Sequence, residues 1–300
     1  MNITKNQHYV FQAYLTGFSI DHPDTDKFVW VYDKEFPTGN PPKQFKSVKS
    51  ICSEVFYYSQ NPEGDDILEK AFGTIENQVS PIIKNLTVTP GVDVILTEEE
   101  RSQIAFIIGL SITRTPSFRD GIEKFHKRVA EATLEIVSKD IKGPNGETFE
   151  EYENKIGGIK IEVEKWVSLK PMIDLATQIG ISVLGKHWQF FKAPQGISFV
   201  AGDNPAFFDY PKRIYGENPF VGPAHPLSEI VFPLRKDIAL VCTPQGLHMN
   251  SFQCSKEEVQ KFNRGTVRAA RKYVIADFKS DSLSKIVLEY KNTEQRLIVD

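Results

Sequence analysis

Residues 104–112 read Ile104-Ala105-Phe106-Ile107-Ile108-Gly109-Leu110-Ser111-Ile112 and carry no charged side chain. An apolar segment that has no polar face predicts a helix that is buried on all sides. Thr97 and Glu100 lie upstream at the capping-box spacing and predict the start of this helix. Pro116 follows it and predicts a break or bend. We therefore expect one central helix against which the rest of the chain packs.

Apolar side chains at helical spacing extend on both sides of this segment. An upstream stripe comprises Leu68, Phe72, Ile75, Val79, Ile82 and Leu86. A downstream stripe comprises Ile122, Phe125, Val129, Ala132 and Ile136. Another comprises Met172, Leu175, Ile179 and Val183. These stripes predict that helices dominate about residues 65–185 and form one layer of the fold.

Strand-like sequences replace the helical pattern over residues 187–245. Segments rich in β-branched and aromatic residues, separated by short turn sequences, are typical of β-hairpins. The first predicted hairpin pairs residues 187–192 with 197–201, and the second pairs residues 230–234 with 238–242. These four segments predict a small sheet that is mostly antiparallel.

The C-terminal part of the chain predicts one more helix. Ser255 and Glu258 are at the capping-box spacing, and the helix is expected to be long, from Lys256 to Ala276. We therefore expect an α+β fold, in which the helical layer of about residues 65–185 packs against the sheet. Because no segment resembles a linker, we expect a single domain over residues 1–300.

Composition excludes several classes of protein. The 300 residues are 40% hydrophobic and 25% charged, with a formal net charge of -3, which is typical of a globular chain rather than a general nucleic-acid binder. Three cysteines, Cys52, Cys242 and Cys254, are scattered, so neither a zinc knuckle nor a disulfide framework is indicated. No signal peptide or membrane-spanning run is visible, and we expect a cytoplasmic protein without a membrane partner.

Sequence motifs for bound metals and cofactors are also missing. The chain has no HExxH, GxGxxG, GxxxxGK[ST] or GxSxG sequence. We expect neither a metal site nor a cofactor.

A polar motif opens the chain: Lys5-Asn6-Gln7-His8-Tyr9-Val10, followed by the apolar start of a helix. Chain termini usually fray and carry few important side chains. A cluster of hydrogen-bonding side chains at this place therefore indicates an anchored motif that faces a pocket.

The opening motif resembles that of proteins grouped as domain of unknown function 4238, which typically begin Lys-x-x-His-Tyr-Val-Pro-Gln-x-Tyr-Leu. The resemblance spans nearly the whole chain and continues at Val29-Trp30-Val31-Tyr32-Asp33, Glu76, Arg114-Thr115-Pro116, Gly202-Asp203-Asn204-Pro205 and Phe232-Pro233-Leu234. Phe11 stands where the family usually has proline. The resemblance therefore does not specify the backbone geometry at the start of the first helix. The resemblance implies a fold and a set of motif positions, but no activity.

Three residues are the candidate catalytic groups. His8 can exchange a proton near neutral pH, Arg114 can clamp a phosphate or carboxylate, and Asp203 follows a strand, where a rigid element aims its carboxylate. Each also has a structural interpretation. His8 can satisfy buried backbone groups, and the Asp203 segment can simply make a turn. Arg114 can form a buried ion pair with Glu76, or it can be an exposed cation that complements the dipole at the helix end. The candidate substrate-binding residues are Lys5, Gln7, Tyr9 and Asn204.

Two functions follow from these alternatives. The first is a metal-independent hydrolase of a phosphate-bearing substrate, such as a nucleotide or RNA. In it His8 is the general acid or base, Asp203 is its orienter or a second base, and Arg114 and Lys5 are the clamp on the phosphoryl charge. The second is a non-catalytic recognition protein in which the N-terminal motif is a structural network and residues 210–227 form a binding loop. An anionic small molecule or RNA is the expected partner of the first; the sequence leaves any protein partner unspecified.

Overall fold

The computed structural model describes residues 3–20, 27–36, 43–61, 63–209, 222–245 and 250–296. Within these ranges the α-helices are α1 (Gln12–Thr16), α2 (Ile67–Asn85), α3 (Glu98–Thr113), α4 (Pro116–Val137), α5 (Phe149–Ile156), α6 (Leu169–Leu184), α7 (Lys256–Ala269) and α8 (Asp281–Glu289). Two short 3-10 helices lie at Val48–Ser50 and Lys165–Ser168.

The described strands form three sheets. They are β1 (Asn6–His8), β2 (Phe28–Asp33), β3 (Lys43–Ser47), β4 (Ser53–Val55), β5 (His187–Lys192), β6 (Ala201–Gly202), β7 (Phe207–Asp209), β8 (Glu229–Arg235), β9 (Ile238–Thr243), β10 (Ser251–Gln253) and β11 (Tyr273–Ala276). Their orders are β1-β4, β3-β2-β11-β6 and β10-β5-β9-β8-β7. Only β10 and β5 pair in parallel among these strands, so the predicted α+β class with mostly antiparallel pairing is confirmed.

The predicted central helix is α3. Its segment from Ile104 to Thr113 is buried, apart from the partly exposed Phe106. The predicted capping box is present: the Glu100 backbone N–H donates to the Thr97 hydroxyl at 3.1 Å, and the Thr97 backbone N–H donates to the Glu100 carboxylate at 2.9 Å. The start of α3 is therefore determined by residues within one helical turn.

Helices α3 and α6 approach each other through small residues. Gly109 of α3 lies so close to α6 that a Cβ atom there would overlap the carbonyl oxygen of Ala176. Gly180 of α6 faces Ala105 of α3, where a Cβ would lie 3.3 Å from the Ala105 carbonyl oxygen. Each helix has two small residues four positions apart, Ala105 and Gly109 on α3 and Ala176 and Gly180 on α6. These residues let the two backbones come into contact. Close approach brings the buried faces of both helices into van der Waals contact.

The sheet of strand order β10-β5-β9-β8-β7 contains the second predicted hairpin. Strands β8 and β9 pair antiparallel around the turn at Lys236–Asp237, as the sequence predicts. The first predicted hairpin is wrong, because residues 197–200 are not a strand and β6 belongs to the sheet with β11. The backbone groups of Ser198 and Val200 instead bond to the side-chain amide of Asn263 on α7, at 3.0 and 2.9 Å.

The long C-terminal helix is also a wrong prediction. Helix α7 begins at the predicted Ser255 cap but ends at Ala269, and residues 273–276 form β11 beside β2. Two distant side chains hold this ending. The Lys34 ammonium donates to the carbonyls of Val267 and Ala270 at 2.8 and 2.6 Å, and the Asp203 carboxylate accepts backbone N–H groups just beyond. These contacts satisfy backbone groups that a helix end leaves unpaired.

Candidate functional site

The N-terminal motif is anchored by a strand pair. Strand β1 pairs antiparallel with β4, and the Lys5 carbonyl accepts the backbone N–H of Phe56 at 2.8 Å. The Lys5 side chain lies at the exposed start of this segment, whereas the side chains of Gln7 and His8 are buried. The chain start is therefore fixed in place by backbone pairing rather than frayed.

Gln7 uses its side-chain amide as a connector between backbone groups. Its Nε2 donates to the carbonyls of Asp65 at 2.5 Å and Thr4 at 3.3 Å, and its Oε1 accepts the backbone N–H of Tyr58 at 2.6 Å. The side chain has no exposed surface. It holds β1 against the start of α2, which is a structural task.

Arg114 lies at the end of α3 and is the centre of a buried polar network. Its Nη1 donates to Glu76 Oε1 at 2.6 Å, its Nε to the Tyr58 hydroxyl at 2.8 Å, and its Nη2 to the His8 carbonyl at 2.6 Å. The guanidinium also stacks over the Phe72 ring, 4.6 Å from its centroid. The ion pair with Glu76 is thus present, as one interpretation of the sequence predicts.

His8 contributes its backbone to this network and its ring to a separate contact. Its backbone N–H donates to Glu69 Oε1 at 3.3 Å, and Nδ1 lies 3.3 Å from Gln12 Nε2. Its Nε2 is buried and has no hydrogen-bond partner among the described residues. Burial lowers the pKa of the imidazole; the Lys49 backbone raises it, and the Arg114 charge lowers it further. The imidazole is therefore neutral at neutral pH.

The lowered pKa of His8 predicts a loss of stability in acid. Below about pH 6.5 the unfolded chain takes up a proton on His8 that the folded chain does not, so unfolding becomes more favourable as pH falls. The variant His8→Gln has no imidazole at this position, so this proton uptake does not contribute to its stability. We expect the free-energy difference between the wild type and the variant to shrink from about pH 7 to about pH 5, in urea unfolding curves. A difference that grows over this range would contradict the lowered pKa.

Asp203 binds backbone rather than side chains. Its carboxylate accepts the backbone N–H groups of Arg271, Lys272 and Tyr273 at 2.8, 2.8 and 3.1 Å. Burial raises the pKa of this carboxyl to about 6, although the three N–H groups and the charge of Lys34 lower it. Lys34 is itself buried, and its desolvation lowers its pKa to about 8. The carboxylate thus holds the turn that connects α7 to β11.

Asn204 lies beside a small cavity. Its Nδ2 donates to the carbonyl of Ala269 at 2.7 Å, while its buried Oδ1 has no partner among the described residues. The cavity has a volume of about 10 Å³, and its lining comprises Ile112, Thr115, Phe118, Asn204, Ala206, Phe208 and Gln295. This volume suits about one water molecule, not a nucleotide.

Tyr9 is buried next to Tyr57 and Cys52. Its ring packs 5.5 Å from that of Tyr57, and its backbone N–H donates to the Cys52 carbonyl at 3.0 Å. Burial raises the pKa of the Tyr9 phenol, and the nearby Cys52 and Asp203 raise it further. Tyr9 therefore stays a neutral phenol at neutral pH.

The structure brings together some of the predicted site residues. His8, Gln7 and Arg114 converge on Tyr58, which donates its hydroxyl to the His8 carbonyl at 2.9 Å. Asp203 belongs to the separate group at the end of α7, and in the described part of the chain neither His8 nor Arg114 hydrogen-bonds to it. The catalytic roles of these residues stay a prediction.

Sequence reasoning missed Tyr58 and two charged members of these groups. Glu69 of α2 accepts the His8 N–H, and burial raises its pKa. It precedes Glu76 by seven residues, so both carboxylates lie on one helix face, and this spacing was a signal that could have been used. Lys34 has no comparable signal, because its three carbonyl partners are distant in sequence; they are Val267, Ala270 and Thr293.

With this geometry in place, the chain can be compared with known proteins. The family described as "Protein of unknown function (DUF4238)" matches residues 6–280, which is most of the chain. The chain belongs to the DUF4238 family. No curated protein and no solved structure matches it. The family assignment therefore covers the N-terminal motif from Asn6, the Arg114 network and the Asp203 turn, and brings no activity with it.

The described residues also bear on metal binding and on membrane insertion. Among the described residues, no group of three or more His, Cys, Asp and Glu side chains is placed to hold a metal ion. In the same residues, the helical stretch Lys165–Leu184 passes the length and composition test for a membrane span only marginally, with a mean hydropathy of 1.2. It contains α6, whose buried residues pack against α3 in the core.

Proposed function

We propose that this DUF4238 protein is a non-catalytic recognition protein in which the N-terminal polar motif is a structural network. The observation that carries the proposal is the engagement of Arg114. Each of its three nitrogens already donates to a protein acceptor, and only 2% of the residue is exposed. A guanidinium that clamps a substrate needs donors that point into a cleft.

The other motif residues support the same proposal. Both oxygens of Asp203 accept backbone N–H groups, and the amide of Gln7 bonds to backbone at both of its ends. Polar groups that are paired in this way stabilise one arrangement of the chain. Of the loop at residues 210–227, which the sequence marks as a binding loop, residues 210–221 lie outside the described residues.

A metal-independent hydrolase of a phosphate-bearing substrate is the second candidate. The observation that favours it is His8 Nε2, a buried ring nitrogen that has no hydrogen-bond partner among the described residues. Because Gln12 donates to Nδ1, Nε2 carries the proton of the neutral ring, so the ring must release Gln12 before it can accept a proton from a substrate. In this alternative Lys5 binds the phosphate, and Arg114 would have to exchange a protein partner for the substrate. Nucleotide or RNA would be the substrate class.

We also propose a cytoplasmic location. The support is that Cys52, Cys242 and Cys254 are all buried free thiols. Free thiols are typical of proteins in reducing compartments, where disulfides are rare.

One experiment separates the two functions. Purified wild type and His8→Gln are assayed for hydrolysis of nucleoside triphosphates and of a single-stranded RNA, and their melting temperatures are measured in parallel. We expect no turnover by either protein and a lower melting temperature for the variant, since the Gln12 contact of the ring is changed. Turnover by the wild type that the folded variant loses would overturn the recognition proposal and favour the hydrolase.

A further inference from the structure

The outer half of α4 presents an apolar surface to solvent. The first turns of the helix, up to Ile122, are buried in the protein. Beyond them the same stripe continues at Phe125, Val129 and Ile136, which are 51%, 48% and 67% exposed. Exposed apolar side chains at helical spacing form a continuous strip about two turns or more in length, and such strips mark interaction sites.

The exposed stripe has the spacing of a coiled-coil seam. Phe125 and Ala132 take the d positions of a heptad, and Val129 and Ile136 take the a positions. The residues that flank the seam at the g positions are Arg128 and Glu135, which have opposite charges. The residues at the e positions are His126 and Thr133.

The flanking charges select one orientation for a second copy of the same helix. In an antiparallel pair the g positions of the two helices face each other, so Arg128 of each copy lies opposite Glu135 of the other. In a parallel pair each g position faces an e position, and Arg128 would meet the neutral Thr133. The helix is therefore complementary to itself only when the copies run antiparallel about a two-fold axis.

We propose that two copies of this chain associate antiparallel through residues 123–137 of α4. Phe125 packs against Ile136 of the second copy, Val129 packs against Ala132, and two symmetric Arg128–Glu135 ion pairs flank the seam. The inference goes beyond the recognition role and does not depend on it. Because one helix pair is a small interface, the dimer is weak and dissociates on dilution.

Charge exchange between variants tests this arrangement. The variants Arg128→Glu and Glu135→Lys each place like charges opposite one another, and we expect each to weaken self-association about tenfold or more. An equimolar mixture of the two restores both ion pairs, so it forms a heterodimer. Sedimentation velocity over a concentration series measures all three samples, together with the wild type and the double variant, in which self-association returns.

Two further measurements make the outcome decisive. The control Ile95→Glu changes a residue that is 90% exposed outside α4, and it leaves self-association unchanged. Val129→Asp abolishes self-association, and its melting temperature falls less than that of a core variant because Val129 is 48% exposed. A wild type that stays monomeric at every concentration would overturn the proposal. So would a mixture of Arg128→Glu and Glu135→Lys that shows no more association than either variant alone.

Discussion

Replacing Arg114 by methionine is expected to lower the free energy of unfolding by about 3–5 kcal/mol, the cost of breaking a buried ion pair from one side. Methionine fills a similar volume but donates no hydrogen bond. It leaves the Glu76 carboxylate, the Tyr58 hydroxyl and the His8 carbonyl without their shared donor. Burial already raises the pKa of Glu76, so this residue can take up a proton, which reduces part of the loss. Urea unfolding at neutral pH measures the change.

The matched control is Arg264→Met. Arg264 pairs with Glu289 at 3.8 Å, but both side chains are about half exposed. An exposed pair of this kind contributes between zero and about 1 kcal/mol, because solvent screens the charges. If Arg114→Met is no more destabilising than Arg264→Met, the buried network does not hold the N-terminal motif, and the recognition proposal loses its main support.

Replacing Gly109 by alanine is expected to destabilise the protein by about 1–3 kcal/mol or more, although alanine is the better helix former. The added methyl group would overlap the carbonyl oxygen of Ala176, which belongs to the backbone of α6 and cannot rotate away. Helices α3 and α6 must then separate, and the loosened contact reduces packing on both sides of the central helix. Thermal and urea unfolding measure the loss.

Gly73→Ala is the control for the intrinsic preference of alanine. Gly73 lies inside α2, and a Cβ there would meet nothing within 4 Å. We expect this variant to be more stable than the wild type by about 0.5–1 kcal/mol. The two glycine variants should therefore change stability in opposite directions. Equal gains at both positions would mean that α3 and α6 do not rely on backbone contact at Gly109.

The helices were predictable because their determinants are local. Apolar spacing located α2 and α6, an uninterrupted apolar segment located α3, and the capping box of Thr97 and Glu100 placed the start of α3 correctly. The stripe on α4 also predicted a helix, but it did not predict that its outer half would be exposed. Periodicity reports which face is apolar, and it carries no information about what covers that face.

The site was predictable only in part. The ion pair of Arg114 with Glu76 was one of the interpretations that the sequence left open, and it is present in the structure. The other two groups that accept hydrogen bonds from Arg114 are the Tyr58 hydroxyl and the His8 backbone carbonyl, and neither was foreseen as its partner. Residue types suggest chemistry, but which donor meets which acceptor depends on how the elements pack.

The sequence alone determined the α+β class, the apolar central helix and the cap at Ser255, since each depends on residues within a few positions of one another. Tertiary structure decided where α7 ends. Asp203 binds backbone N–H groups about 70 residues away, and Lys34 binds carbonyls more than 230 residues away. Such contacts form only when distant segments meet, so local propensity for a longer helix gave way to buried hydrogen bonds that no short stretch of sequence encodes.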